Sequence, residues 1–321
     1  MTYKYYLRKL NICFLLIFLM SFFCCCNTSS DNFADNSPNA EKPFVTITEE
    51  NTENSLPLPD TADFSTPDYT VTEPKLPDKE ATVQADIPSL LTFLRIALGP
   101  ACSTMYVWGG GWNEEDTGAG IEAVTLGVSP KWADFAARQN ASYDYTKTRY
   151  QIHDGLDCSG YVGWAVYNVM ETENRKEGYV IKSTQMAQHF SERGLGEYIP
   201  AADVQKWQPG DICSMKGHVW ISLGMCSDNS VLLLHASPPG VIFSGTLLPD
   251  GSVSEAVKLA EQITQTYYPD WYKKYPDCSR SHSYLPNSSV MRWNTDILSD
   301  HERIQDMSAN EVIKLLFHTK Q

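Results

Sequence analysis

Three short runs in the second half of the chain, DICSM, HVWISLGM and VLLLHAS, constrain the fold most. Each is rich in β-branched and aromatic residues and is bounded by turn formers, the pattern of successive strands. SSVMRWN is a fourth candidate further on. Helical patterns come before them. DIPSLLTFLRIALGP offers Asp86 as a cap, an early proline, apolar residues at Leu90, Leu91, Phe93, Leu94 and Ile96, and a Gly99-Pro100 stop. In SPKWADFAARQN, Ser129 caps, Pro130 takes the first helical position, and Trp132, Phe135 and Ala136 share a face. A further helix opens at Cys158, with Val162, Ala165, Val166 and Val169 as its core line and Tyr161, Trp164, Ala165 and Asn168 as a second line. Thr184–Gly194 reads as a helix before the turn QPGD. SEAVKLAEQITQTYY and SANEVIKLLF add helices at the C-terminal end, the latter with a capping box from Ser308 to Glu311. Helices first and strands afterwards predict an α+β domain, with helices packed on an antiparallel sheet.

That domain starts near Asp86 and occupies 86–321. Residues 27–85 are rich in Pro, Asp, Glu, Ser and Thr and poor in large apolar side chains, so they cannot bury enough surface to offset ordering entropy and read as an extended linker. Residues 1–26 read as an export signal. Lys4, Arg8 and Lys9 precede Ile12–Cys26, which is apolar apart from Ser21 and shorter than the roughly 20 residues a spanning helix needs. An uncleaved anchor is the alternative. Cys24, Cys25 and Cys26 close the run where bacterial lipoproteins carry their lipid-acceptor cysteine, although Phe23 rather than a small residue precedes them. Each version puts the remainder outside the cytoplasm, secreted or lipid-anchored to the outer face of the membrane. A net charge of −14 argues against nucleic acid as a partner. Beyond the signal lie Cys102, Cys158, Cys213, Cys226 and Cys278; five is odd, so at least one thiol has no intrachain partner. No Cys-x-x-Cys occurs there, which speaks against a structural zinc.

Cys158 is the residue with chemical potential. At a helix N-terminus it faces unpaired backbone amides whose partial positive charge favours the thiolate, and a nearby histidinium would favour it further. His218 opens HVWISLGM and shares a face with Trp220 and Ser222. His235 ends VLLLHAS. On adjacent antiparallel strands the two imidazoles can approach, one orienting the other as in a catalytic triad. A packed cysteine and two unrelated histidines remain the plainer alternative for each residue alone.

The segments YVWGG, DCSGYVGWAVYN, QPGDI, GHVWISLG and LLLHASPPG occur in that order. Together they resemble the NlpC/P60 family of bacterial cell-wall cysteine peptidases over roughly Leu90–Val241, interrupted by an insertion at about 112–156. The resemblance implies a papain-like core. It implies Cys158 as nucleophile, His218 as general base and acid, His235 as the orienting third residue, and Tyr106 as an oxyanion donor beside the Cys158 amide. Asp157, Ser159 and Trp108 join as substrate-side candidates, Asp157 either meeting a substrate amine or capping the helix. Such enzymes cut peptide stems of peptidoglycan, commonly after γ-D-glutamyl residues, with no metal or organic cofactor. The insertion is expected to wall the cleft or form a lid. Two alternatives stay open: a binding or scaffolding protein with an idle triad, and amide or acyl-transfer chemistry on a non-wall substrate.

Overall fold

The computed structural model describes residues 87–318; the expected signal (1–26) and linker (27–85) lie outside the described residues. Chain order runs α1 (Leu90–Leu98), α2 (Pro130–Ala137), α3 (Cys158–Met170), α4 (Met186–Glu192), β1 (Gly196–Ile199), β2 (Ile212–Met215), β3 (His218–Met225), β4 (Val231–Ser237) and β5 (Gly240–Thr246). There follow α5 (Glu255–Tyr267), α6 (Pro269–Lys274), β6 (Ser279–Arg280), α7 (Tyr284–Asn287), β7 (Ser289–Trp293) and α8 (Ala309–His318). The fold is α+β. One sheet has the order β1-β7-β2-β3-β4-β5-β6, antiparallel throughout except for the two-residue β6, which pairs parallel to β5.

The four expected strands are β2, β3, β4 and β7. Three others, β1, β5 and β6, were not expected from the sequence. The first helix is capped by Ser89, whose hydroxyl accepts the Thr92 amide at 3.1 Å, and not by Asp86. Half of the capping box at Ser308 is present: a Glu311 carboxylate oxygen accepts the Ser308 amide at 2.8 Å, but the Ser308 hydroxyl donates to that same oxygen at 2.7 Å and the Glu311 amide goes to the Ser308 carbonyl. Thr184–Gly194 begins as a 3₁₀ turn, Ser183–Gln185, before α4.

Alternation along the strands sorts side chains to two faces. Val219, Ile221 and Leu223 of β3 and Leu232, Leu234 and Ala236 of β4 point into the main core with α3. On the other face Trp220, Val231 and Leu233 join a smaller cluster containing a Trp207–Trp220 stack at 5.3 Å. Asp211 of the QPGD turn ties this region to β7 through a bidentate pair with Arg292, at 2.9 and 2.7 Å.

Helix α3 is apolar on nearly every side, and a helix without a polar face must be enclosed. The sheet covers one side. Helix α1 covers another, where Tyr161 donates its hydroxyl to the Ala97 carbonyl at 2.8 Å. Residues of the insertion cover the third. Trp132 is fully buried and meets Trp164 edge-on at 5.7 Å, and the Trp164 indole N–H donates to the Gly127 carbonyl at 3.2 Å. The Asn168 amide oxygen accepts the Gly127 N–H at 2.6 Å. Much of the insertion is therefore part of the core around the Cys158 helix, while its two ends, with Trp112 and Asn113 on one side and Tyr150 and His153 on the other, line a cavity beside Gly109. All five cysteines in the described residues are free, and no described helix is long and apolar enough to cross a membrane.

Candidate active site

Asp157 stands just before α3 with extended backbone, φ −88° and ψ −176°. Its Oδ1 accepts the Gly160 amide at 2.7 Å and the Ser159 hydroxyl at 2.9 Å, and Ser159 Oγ accepts the Trp112 indole N–H at 3.1 Å. Of the two roles open to Asp157, this is capping; Ser159 is likewise engaged within the protein. Burial raises the Asp157 carboxyl to about 6, against the pull of the Gly160 and Ser159 donors. The Asp157 amide donates to the Gly110 carbonyl at 3.0 Å. Gly110 and Gly160 meet backbone to backbone, and a Cβ on Gly160 would overlap the Gly110 carbonyl oxygen. The glycines of YVWGGG and DCSG thus permit two chain segments to touch. That contact fixes the Tyr106 loop against the start of α3. The Tyr106 amide is held in turn by the Pro239 carbonyl, at 2.8 Å.

The histidines lie on the sheet. Ser222 opposes Leu233, and Leu233 opposes Ser244, so even-numbered residues of β3 and β5 share a face with odd-numbered residues of β4. His218, His235 and Ser244 accordingly form a diagonal row across three strands. His218 Nε2 is 2.7 Å from His235 Nδ1, and His235 Nε2 is 3.1 Å from Ser244 Oγ. His235 and Ser244 are fully buried, whereas His218 keeps part of its edge exposed. With Nε2 taken, His218 has Nδ1 left for a reaction partner.

Cys158 is buried, 9% exposed, and the Val219 amide is near enough to its sulfur to favour the thiolate, which puts the thiol near the residue that follows His218. The sequence predicts a lowered thiol pKa; the buried site works the other way. Burial, then the neighbouring Asp157 carboxylate, push the thiol up to about 12, outweighing the lowering by the Val219 and Ser159 amides. Burial, then the Arg280 guanidinium, push His218 down to about 3, and the same causes hold His235 well below its ordinary range. Both shifts favour the neutral forms, thiol and imidazole, at neutral pH. Tyr106 is also buried; burial first, then Cys158 and Asp157, raise its phenol, so it keeps its proton and is a hydrogen-bond donor at neutral pH.

Two side chains at this site had no place in the sequence reading. Ser244 ends the histidine row. Tyr284, on the short α7, sets its ring 5.3 Å from His218 and 6.3 Å from His235 while stacking on Trp220 at 6.5 Å. For Ser244 a signal existed, since its strand follows Pro-Pro-Gly with the β-rich run VIF. Tyr284 had none. Trp108 is 47% exposed, with the Arg149 guanidinium 5.6 Å from its ring. His153, five residues before Cys158, has its Nδ1 2.8 Å from a Glu122 carboxylate oxygen. Among the described residues no group of three or more His, Cys, Asp or Glu side chains is arranged to hold a metal. No family model, curated protein or solved structure matches the chain.

Proposed function

We propose that the chain is an extracytoplasmic cysteine peptidase of the NlpC/P60 type, with a papain-like core, that cleaves amide bonds in peptidoglycan stem peptides, in particular the bond after a γ-D-glutamyl residue. The observation that carries this reading is the 2.7 Å link between His218 and His235, with the backbone amide of Val219, the residue after His218, near the thiol at the start of α3. His218 Nδ1 takes the thiol proton as the Cys158 sulfur attacks the amide carbonyl. The oxyanion meets the Cys158 backbone amide and the protonated Tyr106 hydroxyl. His218 then returns the proton to the leaving amine, which departs as the thioester forms. A water, deprotonated by His218, releases the acid and restores the thiol. The export signal and linker read from the sequence give such an enzyme access to the wall.

Burial of Cys158 and the Tyr284 ring over His218 favour a second reading, a wall-binding protein with an idle triad. Incubation of purified muropeptides with the wild type and with Cys158→Ala, followed by mass spectrometry of the products, separates the two. The enzyme reading requires cleavage by the wild type and none by the folded variant; equal cleavage by both, or none by either, rules it out. Including other amides in the panel tests for a non-wall substrate.

A further inference from the structure

The histidine row has two possible directions of hydrogen bonding, because a serine hydroxyl both gives and takes. In one, His218 Nε2–H donates to His235 Nδ1, and His235 Nε2–H donates to Ser244 Oγ. In the other, every bond is reversed and the His218 proton sits on Nδ1. Only the first leaves a lone pair on His218 Nδ1 for the Cys158 proton. Once His218 has taken that proton, both of its ring nitrogens carry hydrogen and the direction is forced. Its Nε2–H must find an acceptor on His235 Nδ1, so His235 carries its own hydrogen on Nε2. That hydrogen points at a site sealed from water, where the acceptor available 3.1 Å away is the Ser244 hydroxyl. A buried donor left without an acceptor is costly.

We infer that Ser244 is a positioning residue for the proposed hydrolysis. By accepting from His235 Nε2–H it sets the tautomer of His235 and, through it, keeps His218 Nδ1 free to receive the thiol proton. It touches neither substrate nor sulfur. Its contribution is largest when His218 is charged, so its loss lowers turnover and leaves substrate binding alone.

This inference rests on the peptidase reading for its kinetic arm but has a readout of its own. In Ser244→Ala the unpaired His235 hydrogen moves to Nδ1, the row reverses, and His218 becomes an Nδ1–H imidazole. Turnover of muropeptides is expected to fall about tenfold, the effect of one hydrogen bond, with KM unchanged. Ser244→Thr keeps the hydroxyl and restores turnover. Long-range ¹H–¹⁵N spectra of the histidine rings, with His235 assigned by comparison with His235→Gln, are expected to show Nε2–H in the wild type and in Ser244→Thr, and Nδ1–H in Ser244→Ala. A wild-type His235 protonated on Nδ1 overturns the inference. So does a Ser244→Ala protein with unchanged tautomer or unchanged kcat. Should Ser244→Ala fail to fold, the wild-type and Ser244→Thr spectra still decide. A wild type that cleaves no muropeptide defeats the peptidase reading, while the ring spectra continue to report on Ser244.

Discussion

Alkylation of Cys158 tests the electrostatics of the site directly. The perturbation is pH, read with and without His218→Ala. A thiol of ordinary pKa 9 is about 1% thiolate at pH 7; one held at about 12 is thiolate in roughly one molecule in 10⁵, so about a thousandfold slower labelling is expected. Because the free sulfur ionises only far above neutrality, the rate should rise about tenfold for each pH unit from pH 6 to pH 10. His218 is neutral at these pH values, pushed down by burial and Arg280, so His218→Ala should not slow labelling at pH 7. The assay is timed iodoacetamide treatment of the native protein, quenched and read by peptide mass spectrometry. Cys213, fully buried with its thiol also raised, serves as an internal comparison. A rate that is flat between pH 5 and pH 8, and that collapses in His218→Ala, would mean a preformed thiolate–imidazolium pair and would refute the argument from burial.

Two further predictions concern stability. The Asp157 carboxyl is raised to about 6 in the folded protein from 3.8. The native state then binds its proton more tightly than the unfolded chain does, and the group's contribution to stability falls as pH rises from about 3 to 7, by about 3 kcal/mol. Subtracting the unfolding free energy of Asp157→Asn from that of the wild type, by denaturant titration across this window, isolates the effect; a difference that stays flat or grows with pH contradicts it. Trp132→Ala removes a fully buried indole from the outer side of α3 and should cost about 3–5 kcal/mol in the same assay. A loss below about 1 kcal/mol would show that the insertion is not integral to the core.

Local patterns made much of this fold readable. β3 and β4 are strong strands because burial on both faces gives them long apolar runs, and α3 announced its burial by lacking a polar side. β1, GEYI, is a short edge strand with two exposed residues, and β6 has two residues; neither carries a local pattern. Asp86 and Ser89 are both capping types. Ser89 is adjacent to the first helical residue, the position from which a hydroxyl can cap, and it accepts the Thr92 amide. Cys158, His218 and His235 were legible as motifs, and Asp157 as a cap or a binder. The protonation of the site was not, because it depends on enclosure by residues distant in sequence. A helix N-terminus lowers a thiol pKa when the thiol is open to water; here burial outweighs the local amides.

The backbone contact between Gly110 and Gly160 joins the Tyr106 loop to the Cys158 helix, and the Tyr106–Pro239 and Cys102–Val241 bonds join that same loop to the sheet on which both histidines ride. The phenol's loop is thus anchored to both layers, whereas the sulfur rides on the helix and the imidazoles on the sheet, and the seam between helix and sheet passes near the Val219 amide. Alignment across that seam becomes the adjustable quantity. Substitutions that tilt the helix by a fraction of an ångström would detune proton transfer without disturbing either half, so natural tuning of such a protein belongs in the packing between helix and sheet more than in the reacting groups themselves.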